Sequence, residues 1–213
     1  MRLYLASMSP RRHELLSRTG LTFSVLNPGL DETVRENEAA VMYVERMAKA
    51  KAEAGYALLN APTERDVVLA ADTIVVLEDC ILGKPNDRDE ARQMLQALSG
   101  RSHVVMTAIG VKDSEKLRVQ RVNTTVFFRS LSAAEIEWYL DTQEPMDKAG
   151  AYGIQGQGGI FVSSITGSIS SVVGLPYAET LQLLASFGVE HPPFAEQLDR
   201  CRGSIAIASS QFG

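Results

Sequence analysis

Near its start the chain reads Ser7-Met8-Ser9-Pro10-Arg11-Arg12. Ser9 suits a helix N-cap and Pro10 the first helical position, which puts both arginines in a first turn that already carries about half a positive charge. Only Glu14 is near enough to offset them. An anion would reverse that penalty, since free backbone N–H groups, two hydroxyls and two guanidinium forks around one spot form a cradle for phosphate. Two solvated arginines on a surface helix are the alternative that the spacing leaves open.

Carboxylates supply the second kind of chemistry. Val67 to Ala71 is a continuous apolar run, the mark of a strand buried on both faces, and it closes at Asp72-Thr73. Open α/β sheets place ligand sites at such strand ends, and a carboxylate there is costly unless paired, hydrogen-bonded or bound to a metal. A helix cap or a salt-bridge partner is the plainer use of Asp72. Asp31 and Glu32 form a further acidic point in a loop. Glu32 with Asp72 could hold one Mg²⁺, completed by water and phosphate oxygens, while a carboxylate takes a proton from an attacking water.

Two cations and an amide complete the set. Lys84 lies in the constrained turn Gly83-Lys84-Pro85, which no GxxxxGK[ST] precedes, so it is not a Walker A lysine. Residues 150–159 hold five glycines in ten, with Gln155 between them offering a donor and an acceptor suited to a nucleobase edge. Such a loop packs near a ligand, forms a lid, or is simply structural. Lys51 shares a helical stripe with Val44, Met47, Ala54 and Leu58, opposite a Glu45, Lys49, Glu53 charge ladder. Its ammonium either snorkels to the rim or points into a cleft.

These residues need elements to hold them. The patterning predicts a helix from Pro10 to Thr19 closed by Gly20, a strand over Phe23–Leu26, and a long helix from Glu38 to Leu59 capped by Asn37. Ile74 to Leu77 continue in strand character after Asp72. Asp87 caps a helix through Leu98. His103–Lys112 and Leu117–Phe128 read as an antiparallel hairpin, and Ser132 to Glu135 is a capping box. A strand near Ile160–Ile165 and a last helix from Pro176 to Phe187 follow. The sum is a mixed α/β sheet flanked by helices.

Composition narrows the class. The net charge of -5, from 26 acidic against 21 basic residues, argues against broad nucleic-acid binding. Cys80 and Cys201 form no CxxC unit, and His13, His103 and His191 have no metal-ligand spacing, which makes them packing or surface histidines. No apolar signal core precedes Pro10 and no run reaches about 18 apolar residues, so a cytoplasmic protein with no membrane partner is expected. Residues 1–190 read as a single domain, and the tail 191–213 has no readable role.

Taken in order, S-x-S-P-R-R, D-E, A-A-D-T, G-K-P and G-Y-G-I-Q-G resemble the Maf family of nucleoside triphosphate pyrophosphatases, over roughly residues 3–188. The segments Ser168–Pro176 and Tyr177–Leu181 are similar to that family's C-terminal pattern. The resemblance implies metal-dependent hydrolysis, with Mg²⁺ or Mn²⁺, of the α–β phosphoanhydride to a nucleoside monophosphate and pyrophosphate. It implies Asp72 as proton acceptor, Glu32 helping to hold the metal, and Ser7, Arg12, Lys51 and Lys84 on the triphosphate. Arg11, Thr73 and Gln155 match the positions tied to substrate choice. The G-Y-G-I-Q-G loop resembles the branch acting on dTTP and UTP, which leaves room for modified pyrimidine nucleotides. The implied fold is a curved mixed sheet with a cleft between two lobes, similar to inosine triphosphatase, in a homodimer. Two departures stand out: Ala151 where a glycine is common, and Ser170-Ser171 in place of a larger polar pair. A nucleotide-binding regulator of cell division or septum formation, acting through protein contacts, is the alternative function.

Overall fold

The computed structural model describes residues 1–190, so the tail, with Cys201 and His191, lies outside the described residues. Among the described residues seven strands form one mixed sheet: β1 (Arg2–Ala6), β2 (Phe23–Leu26), β3 (Asp66–Leu77), β4 (Cys80–Leu82), β5 (Ser102–Lys112), β6 (Leu117–Phe128) and β7 (Val162–Thr166). Their order is β2-β1-β3-β5-β6-β7, with β4 added to β3. Strands β2, β1 and β3 run parallel, and the rest pair antiparallel. Helices flank the sheet: α1 (Pro10–Ser17), α2 (Ala40–Ala57), α3 (Arg88–Leu98), α4 (Ala133–Asp141), α5 (Ile169–Val173) and α6 (Tyr177–Ala185).

Strand β3 is the spine. One of its edges is paired with β5 from Val68 to Val76. The other is shared: β1 covers it up to Leu69, and β4 takes over only at Val75. Between those points the edge has no partner strand among the described residues, and Asp72 and Thr73 stand there. The strand therefore does not close at Asp72, as the apolar run suggested. The ladder with β5 carries it on to Val76 and β4 pairs its last residue, Leu77, so that Asp72 sits in its middle.

Alternation sorts the cores. Val67, Leu69 and Ala71 face Leu15, Leu16, Leu183 and Leu184 of α1 and α6. Ile74 and Val76 face Val44, Met47 and Ala48 of α2 on the other side. Val75 and Leu77 join α3 and α4 in a separate core with Leu95, Leu98, Tyr139 and Phe161. The two lobes meet along β3. Helix α2 lies close to the sheet at two points where a side chain would not fit. A Cβ on Gly55 would come 2.5 Å from the Ala6 Cβ, and one on Gly110 would come 2.7 Å from the Ala48 carbonyl oxygen.

The hairpin, the Asp87 cap and the Ser132–Glu135 capping box form as expected. Other boundaries move. Asn37 is not a cap but a left-handed turn residue at φ 55°, and α2 begins at Ala40. Glu38 ties that approach back, accepting from the Arg35 backbone N–H and from Arg46. Because α2 ends at Ala57, Leu58 is exposed rather than on the buried stripe. Glu45 leaves the expected ladder to pair with Arg121 of β6 at 3.0 Å, while Lys49 keeps Glu53 at 4.0 Å. Helix α1 stops at Ser17, where turns through Thr19 and Gly20 close it. Strand β7 begins at Val162, after a 3₁₀ turn over Gln157–Phe161, and the last helix runs only from Tyr177 to Ala185.

Candidate active site

A cleft of about 620 Å³ opens along the unpaired edge of β3. Asp72 and Thr73 are consecutive in a strand, so their side chains leave by opposite faces, and the cleft receives groups from both. Ser7, Arg11 and Arg12 line it from the end of β1 and the start of α1, and Lys51 from α2. Glu32, Lys84 and Gln155 line it from loops. Asp31, the other half of the acidic point, is not on this surface; it turns to Thr33 in its own loop, accepting from that residue's backbone N–H at 2.9 Å.

On the α2 face the charges are tightly coupled. The Lys51 ammonium is buried, 2.7 Å from Asp72 Oδ1 and 2.6 Å from Glu32 Oε1. It points inward and does not snorkel. The Glu32 loop is steadied from below by Tyr43, whose hydroxyl donates to the Glu32 carbonyl at 2.8 Å. Burial pushes that phenol up to about 12, with Asp72 and Glu32 adding to the shift. Two carboxylates converging on one cationic point are a donor set that fits a hard divalent cation sharing its shell with phosphate oxygens. Among the described residues no cluster of three or more His, Cys, Asp or Glu groups forms a fuller metal cage.

On the other face Arg12 is held by neutral acceptors. Its Nε donates to the Gly174 carbonyl at 2.9 Å, one terminal nitrogen to Thr73 Oγ1 at 3.0 Å, and the other to Ser7 Oγ at 3.4 Å. Gly174 can turn its carbonyl this way because it adopts φ 125°, open to glycine and strained for other residues. Burial lowers the Arg12 guanidinium from its ordinary value, and the nearby Asp72 and Glu32 charges oppose that shift. Ser9 makes no side-chain cap, but its extended backbone and Pro10 start the helix as expected. Glu14 does not offset the arginine pair: it binds Arg18 one turn on. Arg11 instead faces Asp147 across the cleft at 3.7 Å.

The glycine-rich loop is folded around a carboxylate that the sequence reading missed. Glu144 accepts from the Tyr139 hydroxyl at 2.9 Å, the Gln157 backbone N–H at 2.9 Å and that of Gly158 at 3.3 Å. Tyr139 in turn accepts from the Gly153 N–H at 3.0 Å. A Cβ on Gly153 would meet Lys148 and Glu144, one on Gly156 both Glu144 oxygens, and one on Gly158 the Tyr139 oxygen. The glycines are there to admit this pair, and Gln155 is presented to the cleft from the loop so formed. Ala151, in place of a common glycine, is buried at φ 58° and fits a left-handed turn at some strain. Lys148 also lines the cleft, donating to the Glu144 carbonyl at 3.0 Å. It sits just before the glycines, where a wider window on the loop would have found it. His103 is a packing histidine, hydrogen-bonded to Tyr152 at 2.8 Å.

Comparison with known proteins shows the family to which the chain belongs. The family model described as Maf-like protein matches residues 2–187. A Chromobacterium violaceum protein named dTTP/UTP pyrophosphatase is 53% identical over 193 residues, covering 90% of this chain and 97% of its own. Proteins of the same name from Shewanella oneidensis and Salmonella typhimurium are each 52% identical, covering 89% and 87% of this chain and 100% and 92% of their own. Among solved structures, the Ham1 protein of Staphylococcus aureus matches 60% of this chain and 72% of its own, at 16% identity and a TM-score of 0.43.

Proposed function

The chain belongs to the Maf-like family, and from that premise we propose that it hydrolyses dTTP and UTP to the nucleoside monophosphate and pyrophosphate. The observation that carries this reading is the meeting of Arg12, Lys51 and Lys84 with the carboxylates of Asp72 and Glu32 in one cleft. Ser7, Arg12, Lys51 and Lys84 bind the triphosphate, as charge-assisted donors to its oxygens. A water oxygen attacks the α-phosphorus and the α–β bridging bond breaks, releasing pyrophosphate, while the water's proton passes to the Asp72 carboxylate. Glu32 and Asp72 would hold Mg²⁺ or Mn²⁺, which when bound neutralises triphosphate charge and makes water more acidic. Arg11, Thr73 and Gln155 act in substrate choice.

Residues 1–190 form one catalytic domain on this reading, and the enzyme works in the cytoplasm as a homodimer. Among the described residues Cys80 is exposed and has no disulfide partner, and no helix is long and apolar enough to cross a membrane. The decisive experiment is incubation with dTTP, UTP, CTP, GTP and 7-methyl-GTP, with the products identified. Pyrophosphate from dTTP and UTP is expected, and an Asp72→Asn variant should lose at least about a hundredfold in turnover. Orthophosphate as the product would sink the mechanism, and a preference for 7-methyl-GTP would sink the substrate assignment.

A further inference from the structure

Arg12 enters the cleft from α1, but the groups that fix its direction lie elsewhere. Behind Thr73, its cross-strand partner Thr107 of β5 is fully buried, with the two hydroxyl oxygens 2.9 Å apart. Thr107 Oγ1 is also 2.7 Å from the Ser171 carbonyl of α5. The ends of this chain have only one polarity each, because a guanidinium only donates and a carbonyl only accepts. Each hydroxyl has a single hydrogen. Thr107 must give its hydrogen to Ser171, so it accepts from Thr73, and Thr73 accepts from Arg12. The sequence of bonds runs one way, from Arg12 through Thr73 and Thr107 to Ser171.

We propose that Thr107 is a positioning residue for phosphate binding: by taking the Thr73 hydrogen it turns the Thr73 lone pairs toward Arg12 and holds the guanidinium in the cleft. This rests on the reading of Arg12 as a phosphate ligand. It assigns Thr73 a definite character, since with its hydrogen committed it offers any ligand an acceptor only. It also seats Arg12 on two carbonyls of one short segment, Gly174 directly and Ser171 through the threonines. Both contacts are main-chain, so the unusual serine side chain at 171 leaves the seat intact.

Thr107→Val keeps the shape and removes the hydroxyl, whereas Thr107→Ser keeps the hydroxyl. Thr107→Val is expected to raise the KM for UTP and the inhibition constant of inorganic pyrophosphate about tenfold, with a smaller change in kcat. Thr107→Ser should return both to within about twofold. Adding Thr107→Val to Thr73→Val should cost little more, because the first link is already cut. Independently of any ligand, nitrogen-resolved NMR at low temperature should find the Arg12 Nη hydrogens that face Thr73 slow to exchange in the natural protein and in Thr107→Ser, and fast in Thr107→Val. A folded Thr107→Val protein with unchanged exchange of the Arg12 Nη hydrogens overturns the proposal, as does a Thr107→Ser protein no better than the valine. If the natural protein binds neither UTP nor pyrophosphate, the functional reading falls, and the exchange measurement still decides whether Thr107 holds Arg12.

Discussion

With Lys51 Nζ within hydrogen-bond distance of both Asp72 and Glu32, the three charges depend on one another. Asp72 is only 6% exposed, so removing the ammonium leaves a carboxylate in poor contact with water. Lys51→Met should lower stability to urea by about 3 kcal/mol, the low end for a broken buried pair because Glu32 stays solvated. Asp72→Asn should be milder, since Lys51 keeps Glu32 as its partner. That Lys51 was out of place on an apolar stripe could be read from the sequence. Its partners could not, because one comes from a distant loop and the other from the middle of β3. Thr107 was harder still: a threonine in a strand is what β-propensity favours, and nothing local says that its hydrogen is spoken for.

At the level of the element, the loop over 150–159 owes its shape to Glu144 and Tyr139, both of which precede it. Glycine density in the sequence signalled close approach, but the group approached was hidden upstream, in a turn with no periodic pattern. Gly156→Ala tests the account, since its φ of -106° is open to alanine and only the Glu144 carboxylate stands in the way. The variant should shift the neighbouring Gln155, reducing the preference for UTP over CTP about tenfold while leaving inhibition by pyrophosphate unchanged. An unaltered nucleotide ranking would mean that the loop does not set base choice. The start of α2 shows the opposite limitation. Asn37 has the right chemistry for a cap, but Glu38 and Arg46 pull the chain into another path, a long-range effect that a local motif does not contain.

For the molecule as a whole, the α/β class, the hairpin and most helices were readable from periodicity and turn residues. The continuity of β3 through both lobes was not, because the polar pair Asp72-Thr73 looks like a strand's end until β5 is laid beside it. The buried His103 gives the fold a pH signature. Desolvation holds its imidazole down at about 4, against about 6.5 in an unfolded chain. As pH falls through that interval the unfolded state takes up the proton first, so stability should decline by up to about 3 kcal/mol and then level off. Urea denaturation at several pH values should trace this slope, and His103→Gln should flatten it. The close seating of α2 at Gly55 and Gly110 sets which side of the cleft gives way. With the Ala6 methyl group against Gly55 and the Ala48 carbonyl against Gly110 there is no slack for the helix to slide or tilt, so the Lys51 side acts as an anvil. Ser7, Arg12 and Lys51 hold fixed places on that side, and adjustment to a nucleotide falls to the facing segment, residues 144–158. Hydrogen–deuterium exchange should therefore find α2 equally slow with and without UTP, and added protection on residues 144–158 and at the start of α1.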